Sequence, residues 1–205
     1  MINKEPNPRP RGRPRKFDRD AVLARAMMTF WQLGYEGASI ADLTAAMGIT
    51  PQSLYSAFNS KSQLYHEALK NYQNSSGAFT ARALVEEATA RAGFERMLRE
   101  AAKEFSKSNR PRGCMISTAV LTCATENQDE ARYVARLRKS AVDTFRRRID
   151  RAIDEGEFQA TTDSAALARY LVAVIQGMSA QAQDGATKKE LLAIAEIAIQ
   201  VLKQY

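Results

Sequence analysis

Apolar residues recur at helical spacing along nearly the whole chain after residue 16. Leu23, Met27, Phe30 and Trp31 form the first such stripe, and longer stripes follow between residues 94 and 201. Spacings of three and four residues place side chains on one face of an α-helix. Residues 114–124 are apolar nearly all round, which predicts a central buried helix. No strand-like alternation persists, so the pattern predicts an all-α chain of about nine helices.

Three short helices near the N-terminus are bounded by capping signals. Ser39 and Asp42 form a capping-box pattern before the second helix, Gly48 ends that helix, and Thr50 followed by Pro51 begins the third. A short helix, a tight turn at a glycine and another short helix are typical of a helix-turn-helix. A plain helical hairpin that binds no DNA has the same spacing and is the alternative.

The exposed side of the third helix carries short or polar side chains that suit contact with DNA. Glutamine can form two hydrogen bonds with adenine, and serine can bond base edges or phosphate. The starts of the second, third and fourth helices add free N–H groups and positive dipole ends, which bind phosphate. The predicted DNA contacts in this region are Ser39, Thr50, Pro51, Gln52, Ser53, Tyr55, Ser56 and Lys61.

The net charge of +7 is concentrated in an N-terminal arm, residues 1–16, which holds six lysines and arginines against one glutamate and so carries +5. Its four prolines and its lack of an apolar period predict disorder. Residues 11–16 resemble the core of an AT-hook, whose arginines enter a narrow A·T minor groove. The predicted contacts are Arg11, Arg13, Arg15 and Lys16. A tail that adds only non-specific phosphate affinity is the alternative.

The composition argues against several other classes of protein. No apolar run approaches the roughly 20 residues of a membrane-spanning helix, and the polar N-terminus does not fit a signal peptide, so we expect a cytoplasmic protein without membrane partners. One histidine and two cysteines offer no metal cluster and no nucleophile–base pair, so we expect no metal, no cofactor and no enzyme. Cys114 and Cys123, roughly 13 Å apart on one helix, are too distant for a disulfide.

Residues 17–69 resemble the DNA-binding domain of the tetracycline-repressor (TetR) family. The resemblance is carried by Phe30, Gly34 and Tyr35, and by residues 39–43, 47–49, 53–58 and 61–64. It implies a chain of nine or ten helices, a homodimer, a ligand-responsive C-terminal domain, and DNA contacts from the third helix with Tyr55 and Lys61 on phosphates. Ser56 departs from the pattern, because many relatives carry a bulkier residue there.

The chain then divides into the arm at 1–16, a three-helix DNA-binding domain at 17–63, and a larger effector-binding and dimerisation domain at 64–205. The resemblance places helices around a small-molecule pocket, and the expected lining residues are Phe105, Cys114, Met115, Thr118, Tyr170 and Gln176. Their mixed character suits an apolar ligand with one or two hydrogen bonds. A filled core is the alternative. In some relatives a cysteine near Cys114 senses electrophiles, although a buried cysteine is more often an apolar filler.

A homodimer is expected because one helix-turn-helix covers one half-site, and half-sites on one face of DNA lie about 34 Å apart. The last two long helices carry more apolar surface than one internal face requires. The predicted interface residues are Leu167, Leu171, Val174, Met178, Ile194 and Ala198. Burial of both faces within one subunit is the alternative.

The sequence therefore predicts a homodimeric, sequence-specific transcriptional repressor. Its partners would be a double-stranded operator, a second copy of itself and an unidentified small-molecule effector that releases it from DNA. A weakly specific A·T-binding architectural protein that relies on the arm is the alternative, and the structured helix-turn-helix argues against it.

Overall fold

The computed structural model describes residues 17–121 and 123–205, and these residues contain nine α-helices, one short 3-10 helix and no β-strand. The helices are α1 (Arg19–Gly37), α2 (Ile40–Met47), α3 (Pro51–Phe58), α4 (Lys61–Asn74), α5 (Phe79–Glu86), α6 (Ala90–Phe105), α7 (Gln128–Asp154), α8 (Ser164–Gln183) and α9 (Lys188–Leu202), with the 3-10 helix at Thr125–Asn127 before α7. The predicted all-α class is confirmed. The arm lies outside the described residues.

The N-terminal unit consists of α1 to α4, which share one hydrophobic core. Tyr65 of α4 lies at its centre, with its ring 5.0 Å from the rings of both Phe30 and Tyr35. Leu64 and Ala68 of α4 are also buried there. The core of the unit thus continues along α4, beyond the predicted boundary at residue 63, because α4 packs lengthwise on α1.

Gly34 interrupts α1, as its position after the first apolar stripe predicts. Its φ of 73° and ψ of 177° are not helical, and its carbonyl accepts a bond from the Ala38 N–H at 3.3 Å. A positive φ is accessible to glycine without steric cost. The kink directs the chain from the long α1 into α2, so it helps to orient the helix-turn-helix.

The C-terminal unit consists of α5 to α9 around a second core, with α6 at its centre. Phe94, Leu98 and Phe105 of α6 are buried against α5 and α9. α7 is 27 residues long and packs along α8. The apolar stripes predicted α6 to α9, whereas α5 was not predicted, because its eight residues contain too few helical turns to show a clear period.

Residues 106–121 form an irregular segment, and residues 123–124 are not helical either, so the predicted buried helix at 114–124 is wrong. Much of the backbone here bonds to other elements, and one long bond, from the Thr118 N–H to the Cys114 carbonyl at 3.5 Å, lies within the segment. The Cys114 N–H donates to Ser179 Oγ at 2.7 Å, and the Ile116 and Ala119 carbonyls accept from Arg138. The segment's apolar residues meet both units, since Met115 packs in the N-terminal core while Cys114 contacts both cores. Tertiary contacts thus override the apolar composition.

Three further expectations can be compared with the described residues. Cys114 and Cys123 are both free, as predicted. Within 17–121 and 123–205 no helix combines the length and hydropathy needed to cross a membrane. Over the same ranges no group of three or more histidine, cysteine or acidic side chains could hold a metal ion.

We predict that Gly113→Ala is more destabilising than Gly156→Ala. Both glycines have a positive φ, 76° and 74°, so both substitutions share the cost of a left-handed alanine, about 1 kcal/mol. A Cβ on Gly113 would also lie 2.6 Å from the Ser179 carbonyl oxygen, whereas a Cβ on Gly156 would have no neighbouring atom within 4 Å. The clash should add about 1–3 kcal/mol to the loss of unfolding free energy. Urea denaturation of both variants measures the difference, and equal losses would contradict this account.

Candidate nucleic-acid interface and effector cavity

The helix-turn-helix is formed by α2, a three-residue turn at 48–50, and α3. Gly48 ends α2 in the left-handed conformation (φ 68°, ψ 33°), and the next N–H, of Ile49, bonds the Thr44 carbonyl at 3.2 Å. Arg25 of α1 donates to the Met47 carbonyl at 3.0 Å, which satisfies another carbonyl at the end of α2. These local bonds fix the angle between the two helices.

Caps fix the starts of α2, α3 and α4 on the N-terminal unit. Ser39, Thr50 and Ser60 each accept a hydrogen bond from the N–H three residues later, at 3.0 to 3.2 Å. Asp42 completes the predicted capping box by accepting from the Ser39 N–H at 2.9 Å. The hydrogen bond from the Ser39 hydroxyl, and after it the one from the Ser39 N–H, lower the pKa of the Asp42 carboxyl group. Other N–H groups of each first turn have no helical partner, so they can meet anionic oxygens.

The two sides of α3 differ as predicted from its sequence. Leu54 and Phe58 are fully buried in the N-terminal core, whereas Gln52 and Ser56 are exposed and Tyr55 is 47% exposed. Ser53 is half-buried, and its hydroxyl lies 2.9 Å from that of Thr50. Within the predicted base-reading set, Gln52 and Ser56 thus have the most accessible polar groups on this face.

Lys61 begins α4, and its ammonium group lies 4.5 Å from the centre of the Tyr35 ring. Partial burial lowers the pKa of Lys61, and the nearby carboxylate of Glu36 opposes that shift. The aromatic ring supports the cation by its quadrupole. Lys61 is therefore held at the start of α4, where the predicted phosphate contact requires it.

Arg19 is a basic residue of this region that the sequence analysis did not select. Its guanidinium lies 4.5 Å over the Phe58 ring and pairs with Glu67 at 2.7 Å. It therefore joins the first turn of α1 to α3 and α4. The predicted arm contacts Arg11, Arg13, Arg15 and Lys16 precede it and lie outside the described residues, so they stay predictions.

A buried polar cluster joins the N-terminal unit to α7. Glu130, in the first turn of α7, is only 5% exposed, and its carboxylate accepts from Ser62 Oγ at 2.5 Å and lies 2.7 Å from His66 Nε2. The His66 ring also stacks on Tyr133 with centroids 3.8 Å apart. The pKa of Tyr65 is raised chiefly by burial, and the Glu130 charge adds to the shift. Sequence spacing could not reveal this cluster, because 64 residues separate His66 from Glu130.

A second tie joins the end of α1 to the start of α7. Glu36 Oε1 accepts from the Ala124 N–H and from Asn127 Nδ2, each at 2.8 Å. The Asn127 amide and the Ala124 N–H lower the pKa of Glu36. The N-terminal unit is thus hydrogen-bonded to the C-terminal unit at two places, one on α4 and one on α1.

A cavity of about 230 Å³ lies between α4, α5, α6, α7, α8 and the irregular segment. That volume exceeds the roughly 30 Å³ of one water molecule several times over, so the alternative of a filled core is not what the structure shows. Of the predicted pocket residues, Phe105, Cys114 and Gln176 line the cavity. Burial raises the pKa of Tyr72, which lines the cavity too, and the neighbouring Cys114 thiol adds to that shift.

Met115, Thr118 and Tyr170 do not line this cavity, which corrects their predicted role as lining residues. Met115 is buried in the N-terminal core because the segment carrying it is not a helix. Thr118 accepts a bond from Gln183 at 2.9 Å, and Tyr170 packs against the C-terminal core. The sequence analysis instead missed Arg138, the charged side chain that reaches the cavity.

The chain resembles known protein families over both of its units. Residues 22–68 match the family described as bacterial regulatory proteins, tetR family, and residues 91–194 match the tetracyclin repressor-like C-terminal domain. The HTH-type transcriptional repressor ComR of Escherichia coli (strain K12) is 33% identical over 186 residues, which cover 90% of this chain and 89% of ComR. The chain belongs to the TetR family. It is a DNA-binding transcriptional regulator.

Two further relatives of this TetR-family regulator add to the comparison. The HTH-type transcriptional repressor BdcR of Escherichia coli (strain K12) is 28% identical over 204 residues, which cover 99% of this chain and 98% of BdcR. A cysteine mutant of the TetR-family regulator CifR, solved with 26-bp double-strand operator DNA, is 41% identical with a TM-score of 0.88. That match covers 92% of this chain and 98% of the CifR chain.

Most of the residues that were predicted to form the dimer interface are buried within the single chain. Leu167, Leu171, Met178 and Ala198 are at most 2% exposed in the single chain. Side chains this buried offer no surface to a second chain, so their assignment to an interface is corrected. Val174 and Ile194 are half-buried and keep some exposed surface. The stripes used for the prediction face the core, because the longest apolar stripe of a helix is the one its own subunit buries.

We predict that Glu130→Ala lowers the free energy of unfolding of the regulator by about 2–3 kcal/mol, since the half-buried Ser62 and His66 each lose a hydrogen bond to a buried carboxylate. Asp129→Ala is the matched control, because Asp129 is exposed and pairs only with Arg132 at the surface, at 2.5 Å. The control should cost much less, because water screens an exposed ion pair. Thermal and urea denaturation measure both, and equal losses would show that the cluster does not stabilise the junction.

Proposed function

We propose that this regulator is a homodimeric repressor that binds a two-fold symmetric operator through its two helix-turn-helices and is released by a small molecule in the cavity. The main observation in support is that one helix, α4, contributes residues to both the DNA-binding face and the cavity. Its N-terminus with Lys61 lies beside the helix-turn-helix, and Tyr72 and Gln73 near its end line the cavity. Fourteen residues span about 20 Å, so α4 reaches from the helix-turn-helix to the cavity.

The names of relatives support repression and operator binding. ComR and BdcR are described as repressors, and CifR was solved with operator DNA. On the proposed interface, Gln52 and Ser56 of α3 would meet base edges. Tyr55, Lys61 and the N-termini at Ser39 and Thr50 would meet phosphates, with Pro51 and Ser53 beside them. The arm would add minor-groove contacts at the edges of the site through Arg11, Arg13, Arg15 and Lys16.

The proposed release follows from the packing of α4. A ligand that fits the cavity better when α4 is displaced would shift the population toward that state. The recognition helices of the two subunits would then no longer match successive major grooves. A tenfold loss of operator affinity needs only about 1.4 kcal/mol of differential binding. The ties at Glu130 and Glu36 mean that a movement of α7 also moves the N-terminal unit.

The proposed dimer would use the outer faces of α8 and α9. Ile197 is 67% exposed, and Ala173, Gly177 and Ala180 lie at helical spacing on the exposed face of α8. Small side chains let two helix backbones approach closely, and a large exposed apolar side chain beside them gives apolar area to bury. Val174 and Ile194 are half-buried residues of the predicted set that border this face.

Selection of bound DNA from a random pool tests the operator proposal. We expect an inverted repeat whose half-sites are centred about one helical turn, 34 Å, apart or a multiple of it. Recovery of unrelated A·T-rich fragments without symmetry would instead support the architectural alternative.

For the selected site, we predict that Gln52→Ala weakens binding by about 1–3 kcal/mol and relaxes the preference at one base pair. Lys61→Ala should weaken all sequences about equally and reduce the salt slope by about one. Gln128→Ala, which removes an exposed glutamine from the start of α7, is the control and should bind as the wild type. Fluorescence anisotropy against salt measures the three variants. An unchanged base preference in Gln52→Ala would move base reading to Ser56.

We predict that the wild-type protein sediments as a dimer of the 22.8 kDa chain and that Ile197→Glu shifts it toward monomer, because a charge would be buried in the interface. Val85→Glu is the matched control, since Val85 is 83% exposed on α5, outside the proposed interface. Analytical ultracentrifugation at micromolar concentration measures the masses. A monomeric wild type would refute the dimer, and a dimeric Ile197→Glu would place the interface elsewhere.

A further inference from the structure

Arg138 is the charged side chain that lines the cavity, and among residues 17–121 and 123–205 no aspartate or glutamate lines it. The rest of the wall is apolar or neutral. Aromatic side chains come from α5, α6 and α7, and hydroxyl or amide groups come from Thr80, Ser140 and Gln176. A cavity of this kind has one positive charge and no negative charge to balance it.

The contacts of Arg138 satisfy its hydrogen bonds only in part. One guanidinium nitrogen, Nη1, donates to the carbonyl oxygens of Ala119 at 2.8 Å and Ile116 at 3.3 Å. Within the described residues Arg138 forms no ion pair. A guanidinium has five N–H donors and stays protonated in proteins. Burial lowers the pKa of Arg138, which shows that its surroundings disfavour the charge.

A groove beside the cavity has the same sign of charge. It shares Arg138, Val172 and Gln176 with the cavity wall, and it adds Lys139 and Arg169 against a single acid, Asp143. Three cations against one anion give this groove a positive potential, which raises the local concentration of anions. The charge outside the cavity and the charge inside it therefore favour the same kind of ligand.

We propose that the cavity binds a small apolar carboxylate, whose anionic group pairs with Arg138 and whose body lies among Phe79, Phe105 and Phe145. This rests on the proposed function, in which the cavity holds the effector. A carboxylate accepts two parallel N–H bonds from a guanidinium, and such charged bonds are stronger than neutral ones. The volume of about 230 Å³ is below the usual range for drug-sized ligands, so the ligand is small.

Binding at Arg138 would also reach the DNA-binding unit. The carbonyls that Arg138 now holds belong to the irregular segment, whose Met115 and Ala119 are buried in the N-terminal core. A carboxylate competes with neutral carbonyls for the guanidinium and is the stronger acceptor. Its arrival loosens the segment from α7, and with it one of the contacts between the two units.

The test compares acids with neutral amides of the same shape. Hexanoate and phenylacetate are titrated into the full-length protein beside hexanamide and phenylacetamide, by calorimetry and by release of the selected operator. The acids should bind at least about tenfold more tightly than their amides, the preference expected of a charged hydrogen bond. Acids alone should release the operator at matched concentration.

Variants of Arg138 assign the preference to that residue. Arg138→Gln should bring the acid-to-amide ratio of affinities close to one, and Arg138→Lys should keep part of it because the charge remains. Arg136→Gln removes a charge from an exposed position of the same helix outside the cavity and should keep the full ratio. Operator affinity and thermal melting without ligand show whether each variant is folded. If Arg138→Gln does not fold, the acid-to-amide ratios of affinities of Arg138→Lys and Arg136→Gln still test whether the preference depends on Arg138.

The outcomes separate this proposal from the proposed function. Three results would overturn the anionic ligand. Two of them are equal binding of acids and amides to the wild type, and no binding of either class. The third is a preference that does not depend on Arg138, because it survives Arg138→Gln, or because Arg138→Lys keeps it in full while Arg136→Gln loses it. The effector proposal would still stand if neutral apolar compounds released the operator. If no compound of any charge released it while the operator bound normally, the effector proposal itself would fail.

Discussion

The carboxylate of Glu130 is buried between two helices that belong to different parts of the chain, and the remaining structure depends on how it is satisfied. A buried carboxylate without partners is strongly unfavourable, so Ser62 and His66 of α4 must stay within bonding distance of the first turn of α7. This requirement ties α4 to α7 by hydrogen bonds, in addition to the apolar packing that holds it against α1. The position of the helix-turn-helix relative to the cavity follows from that double attachment.

The irregular segment at 106–121 has a comparable role on the other side of the junction. Its residues contribute to both cores, and its carbonyls are held by Arg138 instead of by a helix of their own. Gly113 makes the close approach to Ser179 that this path requires. A segment held by side chains can rearrange more easily than a regular helix, because few backbone bonds must break together. The cavity wall thus combines firm helices with one adaptable element.

The chemistry of the two surfaces differs in a way that fits their separate tasks. The N-terminal unit presents helix N-termini, a lysine and neutral polar groups, which suit a polyanion whose charge lies outside the protein. The cavity encloses one cation among apolar side chains, where the same charge acts over a shorter range and in a less polar medium. Because α4 contributes to both surfaces, it links the DNA-binding face to the cavity wall.

Short-range signals in the sequence determined most of the secondary structure. The oxygens of Ser39 and Thr50 cap the helices that they were predicted to begin, and Gly48 turns the chain where the helix-turn-helix requires it. The exposed face of α3 with Gln52 and Ser56 was also predicted from helical periodicity alone. These features depend on residues three or four positions apart, so the printed sequence contains them directly.

Only the tertiary structure decided which surfaces meet. The apolar run at 114–124 is not a helix, because its backbone bonds to Ser179 and Arg138 and its side chains fill two cores. Leu171 and Met178 carry the pattern of an interface but are buried within the subunit. The pairing of Glu130 with His66 and the position of Arg138 in the cavity join residues distant in sequence. Such contacts depend on how whole helices pack, and no local spacing records that packing.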